Sequence, residues 1–196
     1  MARYGFRRSM LHGLLFMAGF GVTACVGAAE FSAAKVVTLK NGLNSLSLGG
    51  QKMAIIMADR PNGNAHGFTV TSFYATSDGW TIMPVFRDSK QGQDEQFNVK
   101  RGGGADCVLF DFRLLTMDGK VKLILAKRDF GQSFADDAAV HFDVYRLESG
   151  HEDDVGRPPS YFEFERSIAA RKAYCDVGEA FRQELGLGDY LEQANP

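Results

Sequence analysis

Residues 108–128 read VLFDFRLLTMDGKVKLILAKR, and this stretch decides the fold class. Val108, Phe110, Phe112 and Leu114 recur at every second position, with Asp111 and Arg113 between them. Asp118-Gly119 favours a tight turn. Beyond it, Val121, Leu123 and Leu125 alternate with Lys120 and Lys122. A repeat of two is the side-chain period of a strand, so the segment predicts a β-hairpin with one apolar face. Asp111 and Arg113 are expected on the opposite, outward face.

The same grammar occurs forty residues upstream. Residues 68–75 read as a strand, Asp78-Gly79 as a turn and 80–86 as the return, where Pro84 should force a sheet edge or a bulge. Both hairpins end in Arg-Asp, at Arg87-Asp88 and Arg128-Asp129. The match is too short for a solenoid repeat. Val36, Val37 and Leu39 lead into the turn dipeptide Asn41-Gly42, followed by Leu43, Leu46 and Leu48. Residues 53–58 form an apolar run and 59–66 a loop. Val140, Phe142 and Val144 predict another inward face, with His141, Asp143 and Tyr145 outward. Residues 149–159 read as a polar loop, 161–164 as a strand, and 166–174 fit strand or helix equally. The clearest helix comes last. Asp176 can cap it with Glu179 three residues on, Val177, Ala180, Phe181 and Leu185 share one face, and Gly186 and Gly188 stop it. Eight or nine short strands predict an all-β, antiparallel β-sandwich with one C-terminal helix, the alternative being a barrel-like closure.

Length and composition agree with one such domain. The chain has 196 residues, 45% hydrophobic and 23% charged, which excludes disordered and collagen-like classes. A net charge of −2 leaves no basic footprint for nucleic acid.

The first residues read as an address. Arg3, Arg7 and Arg8 precede an apolar run from residue 10 to 24, with no acid before Glu30. A basic start, a short apolar run and small residues make a secretory signal, and fifteen residues are short for a bilayer span. Cleavage after Ala28 divides the chain into a signal peptide, 1–28, and a single β-rich domain, 29–196. It removes three arginines and leaves a net charge of −5. Val22-Thr23-Ala24-Cys25 also fits a lipobox, which would place a lipid on Cys25 and tether the domain to a membrane. Arg7-Arg8 alone is a weak twin-arginine signal. The expected compartment is the periplasm. There Cys107 and Cys175, the cysteines left to the domain, are expected to form a disulfide.

Catalytic patterns are sparse. His66, His141 and His151 show neither HxH nor HExxH spacing, so neither a metal site nor a cofactor is expected. Ser32-Ala33-Ala34-Lys35 matches S-x-x-K, but it falls at an expected frayed terminus without the S-D-N and K-T-G partners, and is read as coincidence. No G-x-S-x-G elbow occurs. Asp136-Asp137 and Glu152-Asp153-Asp154 lack EF-hand spacing and read as solvated loops. Arg101-Gly102-Gly103-Gly104 reads as a flexible turn rather than a phosphate loop. Binding is left to Asn64 and His66, in an adaptable loop, and to Trp80, the sole tryptophan, which fits a core anchor equally well.

Several short patterns carry a family resemblance. They are Lys40-Asn41-Gly42-Leu43-Asn44, Asn64-Ala65-His66-Gly67-Phe68 with Ser72-Phe73-Tyr74, Ala105-Asp106-Cys107, and Tyr174-Cys175-Asp176-Val177 with Ala180-Phe181. In this order and spacing, from residue 35 to 185, the chain resembles the carbapenem intrinsic-resistance family of the CarG type. The resemblance implies a periplasmic, β-rich protein that protects its producer without hydrolysing the drug, and it names no catalytic set. The expected partner is then a small-molecule β-lactam or its cell-wall target. A periplasmic immunity or adaptor protein that neutralises a toxin is the alternative, and a hydrolase with an unusual site ranks last.

Overall fold

The computed structural model describes residues 26–87, 95–104, 106–150 and 155–192. Cys25, almost all of the signal segment, Asp88 and residues 151–154 lie outside these.

The hairpin at 108–128 forms as its alternation requires. Strands β9 (Val108–Met117) and β10 (Lys120–Arg128) pair antiparallel with Leu123 opposite Leu114. Asp118 and Gly119 both take positive φ, 51° and 73°, as a tight hairpin turn demands.

Around this hairpin the remaining strands build one open sheet. In chain order they are β1 (Lys35–Val36), β2 (Gly42–Leu48), β3 (Gln51–Arg60), β4 (Phe68–Ala75), β5 (Thr81–Ile82), β6 (Val85–Phe86), β7 (Glu95–Gln96), β8 (Val99–Gly103), β11 (Val140–Ser149) and β12 (Ser160–Ala169). Hydrogen bonding runs in the order β2-β3-β4-β8-β9-β10-β11-β12-β6-β7, with β1 attached to β9 and β5 to β4. Every pairing is antiparallel except β6 with β12. No strand pairing among the described residues closes the sheet into a barrel.

The sandwich arises because this single sheet folds over itself. Phe73 of β4 meets Phe162 of β12 edge-on at 5.2 Å, although four strands separate β4 from β12 in the sheet. One core, including Ile55, Phe73, Phe112, Leu123, Tyr145 and Phe162, lies between the halves. The corner is β8, where register shifts between Gly102 and Gly103, and bulges are where strands turn between layers. A Cβ on Gly103 would stand 2.4 Å from the Phe110 ring, so the Arg101-Gly102-Gly103-Gly104 run is a tightly packed corner rather than a flexible turn.

Pro84 acts as expected of a strand breaker. β5 pairs with β4, the ladder stops, and β6 crosses to β12, where the Pro84 carbonyl accepts a bond from Phe162 N at 2.9 Å. Asn41-Gly42, in contrast, does not join a local hairpin. β1 pairs with β9, Leu39 bridges Leu191, and the turn from β2 to β3 falls at Gly49 and Gly50.

A second core covers the other face of β9–β11. Helix α2 (Val177–Leu185) lays Val177, Ala180, Phe181 and Leu185 against Leu115, Ile124, Phe142 and Val144. Phe31, just after the short helix α1 (Val26–Glu30), joins this core at 2% exposure. Helix α1 packs on α2 and Glu30 pairs with Arg166, so the Ser32–Lys35 stretch is not a frayed terminus. The Ser32 hydroxyl donates to Ala29 O at 2.9 Å. Both faces of the central strands are buried, and this corrects the outward placement of Asp111, Arg113 and Tyr145, at 3%, 1% and 0% exposure.

Candidate functional site

At the 125–127 end of β10 the two layers part and leave a cleft of about 500 Å³. Its location follows from strand parity. Leu125 and Lys127 are two residues apart and share the inner face, opposite Phe112 and Phe110 on β9. Asp143 of β11 lies opposite Leu125 on the same face. Residues 95–100, which include β7 and the start of β8, form the other wall and carry Phe97 at 46% exposure. Arg87, just after β6, completes the lining.

The charges of this cleft are unevenly satisfied. Arg87 Nη2 stands 3.3 Å from Asp143 Oδ2. The nearby Tyr145 hydroxyl and the Asp143 charge push the Arg87 guanidinium above even its ordinary high pKa. Lys127 has no carboxylate within ion-pair distance among the described residues. Lys100 is held over the Phe68 ring at 5.1 Å. A recess of about 730 Å³ at the other end of the sandwich is larger, but most of the charges lining it pair with one another. There Lys122 reaches Glu165 at 2.7 Å, and Arg146 pairs with both Glu148 and Glu163. The smaller cleft, with its apolar floor of Phe110 and Leu125, is the better binding candidate.

The residues expected to bind from sequence do not converge there. Asn64 and His66 do come together: Asn64 Oδ1 accepts from His66 N at 2.9 Å, and Asn62 Nδ2 donates to His66 O at 2.7 Å. The His66 ring lies 5.5 Å from Phe134, which meets Phe130 edge-on at 5.1 Å. Phe130 and Phe134 are 67% and 44% exposed, so these three rings make a surface patch. The loop bearing it is anchored by buried Arg128, which donates to the carbonyls of Asp136, Ser133 and Cys175. Trp80 belongs elsewhere. It is 59% exposed and stacks on Tyr74 at 5.5 Å, and the length of β4, about 25 Å of strand, separates it from His66. The even choice between anchor and surface ring thus resolves to a surface ring.

Cys107 and Cys175 form the disulfide. Among the described residues, no three His, Cys, Asp or Glu side chains gather as a ligand set. His141 faces Asp129 at 3.5 Å, and His151 and residues 152–154 lie outside the described residues. Asp136 accepts from Ser133 N at 2.6 Å within its own loop.

Residues 39–183 match the family model described as "Carbapenem resistance protein CarG-like". The chain belongs to the CarG-like family of carbapenem resistance proteins. No curated protein sequence matches it. Among solved structures it is similar to the crystal structure of CarG, with 26% identity and a TM-score of 0.63, over 76% of this chain and 94% of that one. The cleft residues and both cysteines fall inside the CarG-like region, whereas Phe31 and Tyr190 lie outside it.

The short patterns behind the CarG-like resemblance turn out to be structural. Asn44 folds back on Lys40, accepting from its N–H at 2.9 Å and donating to its carbonyl at 2.8 Å. Asn64 closes its own loop, Cys107 and Cys175 link, and Asp176 caps α2 with bonds from Gly178 N at 2.7 Å and Glu179 N at 3.1 Å. The cleft residues Arg87, Phe97, Lys127 and Asp143 were missed. Phe97 was the available signal, an isolated aromatic in the polar run 87–98.

Proposed function

We propose that the chain is exported and protects a cell from a carbapenem by binding the drug, or its cell-wall target, without hydrolysing it. Membership of the CarG-like family carries this reading. The cleft of about 500 Å³ lies in the range that holds a small organic ligand. Export is supported by the basic and apolar leader. Removal of residues 1–28 leaves Phe31 and every other core residue in the mature domain. A disulfide suits an oxidising compartment. Lipidation at Cys25 would leave the same domain on a short tether.

The test is expression of the full chain in a carbapenem-sensitive bacterium. Survival should rise while the drug in the medium stays intact, and the protein should appear in the envelope fraction beginning at Ala29 or lipidated at Cys25. Unchanged sensitivity, or steady loss of drug absorbance with purified protein, overturns the reading. A second reading, a periplasmic immunity or adaptor protein, draws on the exposed patch of Phe130, Phe134 and His66. Its signature is a stoichiometric protein partner recovered from envelope extract.

A further inference from the structure

We infer that the cleft between residues 95–100 and the inner face of β9–β11 is a site for a small amphipathic carboxylate, its anion held by Lys127 and Arg87. This rests on the reading above that the protein protects by binding drug. The apolar body of such a ligand has Phe110 and Leu125 as floor and half-exposed Phe97 at the mouth. Lys127 sits two residues from Leu125 on the same face, about 7 Å along the strand, and directly opposite Phe110, so the cation borders the apolar floor. That spacing matches a molecule with a carboxylate on a compact ring system.

The two cations differ in role. Lys127 is exposed and has no carboxylate within ion-pair distance among the described residues. Arg87 is steadied by Asp143, and a guanidinium with five N–H donors retains capacity for a second carboxylate. Lys100, held over the Phe68 ring, also lines the cleft, as do Glu95, Asp111 and Asp143, so three carboxylates offset three cations. A monoanion therefore fits better than a polyphosphate, and the family's carbapenem has the required single carboxylate on a fused bicycle. Crowding by Asp143 and Glu95 also favours ligands whose charge is confined to one end.

The test uses calorimetry of the disulfide-bonded mature protein with tebipenem, a carbapenem acid, and with its pivoxil ester, which masks the carboxylate. The acid should bind saturably and the ester at least tenfold more weakly. Lys127→Met and Arg87→Gln should each weaken acid binding roughly 10- to 100-fold, the range of a lost charge-assisted bond. Lys52→Met, at an exposed position outside the cleft, should bind like the parent. Thermal melts of all variants report that the fold is kept. Saturable binding in which acid and ester are equal, or in which both cleft variants match the parent, overturns this site and leaves protection by drug binding standing. The complete absence of binding heat overturns the site and the drug-binding reading together.

Discussion

Arg113 is a charged side chain in a place where charges are expensive, 1% exposed and beneath α2. Its position on β9 explains it. β8 pairs with β9 only at residues 108 and 110, and β1 only at 115 and 116, so the edge at Phe112 has no strand beside it. Side chains fill the gap: Asp111 Oδ1 accepts from Phe112 N at 2.8 Å, and Arg113 Nη1 donates to Phe112 O at 2.7 Å and to Asp111 Oδ2 at 2.8 Å. Arg113 Nε donates to Gly188 O at 2.6 Å, and the guanidinium lies 4.4 Å over Phe181. Arg113→Met leaves the buried Asp111 with only Arg101, 3.5 Å away, and strands the Phe112 carbonyl, and should cost about 3 kcal/mol in urea unfolding. Replacing Asp111 by leucine in the same variant should recover part of that loss; a single variant with the parental midpoint would show that the gap is filled otherwise. From sequence, Asp111 and Arg113 were placed outward because alternation separates two faces without saying what covers each. The covering helix lies more than sixty residues downstream, and the same limit hid Tyr145, which faces the core between the two halves beside its cross-strand neighbour Phe164 of β12, 5.7 Å away.

Helix α2 is held to β9 twice, at adjacent residues. Cys175 bonds Cys107, and the next residue, Asp176, caps the helix with Oδ1 while Oδ2 accepts from Val108 N at 3.0 Å. The two attachments share one line across the interface, so the helix is registered as well as tethered. Replacing Cys107 and Cys175 together by serine opens a crosslink spanning 68 residues and should lower stability by up to about 4 kcal/mol in the chain-entropy model. Hydrogen exchange should show the α2 amides opening first, because of the two adjacent attachments at the helix start only Asp176 remains. An unchanged urea midpoint and unchanged α2 exchange in the serine variant count against a stapling role. The cap was legible because its signals are local in sequence. The capping box was only half right: Glu179 does not reach back but accepts from Gln183 Nε2 at 2.6 Å. Elements joined by distant pairing were less legible. The turn dipeptide Asn41-Gly42 looks like a hairpin loop, yet β1 is claimed by β9 nearly eighty residues away, and β8 shows too little alternation to announce a corner.

At the scale of the molecule, one sheet supports two cores, and the last described residues close the assembly. Leu39 N donates to Tyr190 O and Glu192 N to Leu39 O, so the 187–192 segment runs beside the start of the fold. This enclosure buries phenols as well as hydrocarbons. Burial, and then the hydrogen bond to Glu184, push the Tyr174 hydroxyl well above the ordinary tyrosine pKa. Burial and the Asp111 charge do the same for Tyr190, and burial raises Tyr145 against the opposing pull of Arg87. In the unfolded chain these phenols ionise near their ordinary value of about 10. Above that pH the native state keeps protons that the unfolded state releases, so stability must fall as pH rises; below it the contribution is fully present. Each retained proton steepens the decline by about 1.4 kcal/mol per pH unit. Urea midpoints should therefore fall between about pH 9 and about pH 11, and Tyr190→Phe should make the slope shallower. Phenolate absorbance from the buried set should appear with loss of the β-sheet signal rather than before it. Free titration of these three tyrosines in the still-folded protein, or a flat stability profile across that interval, would mean the 187–192 segment does not seal the sandwich.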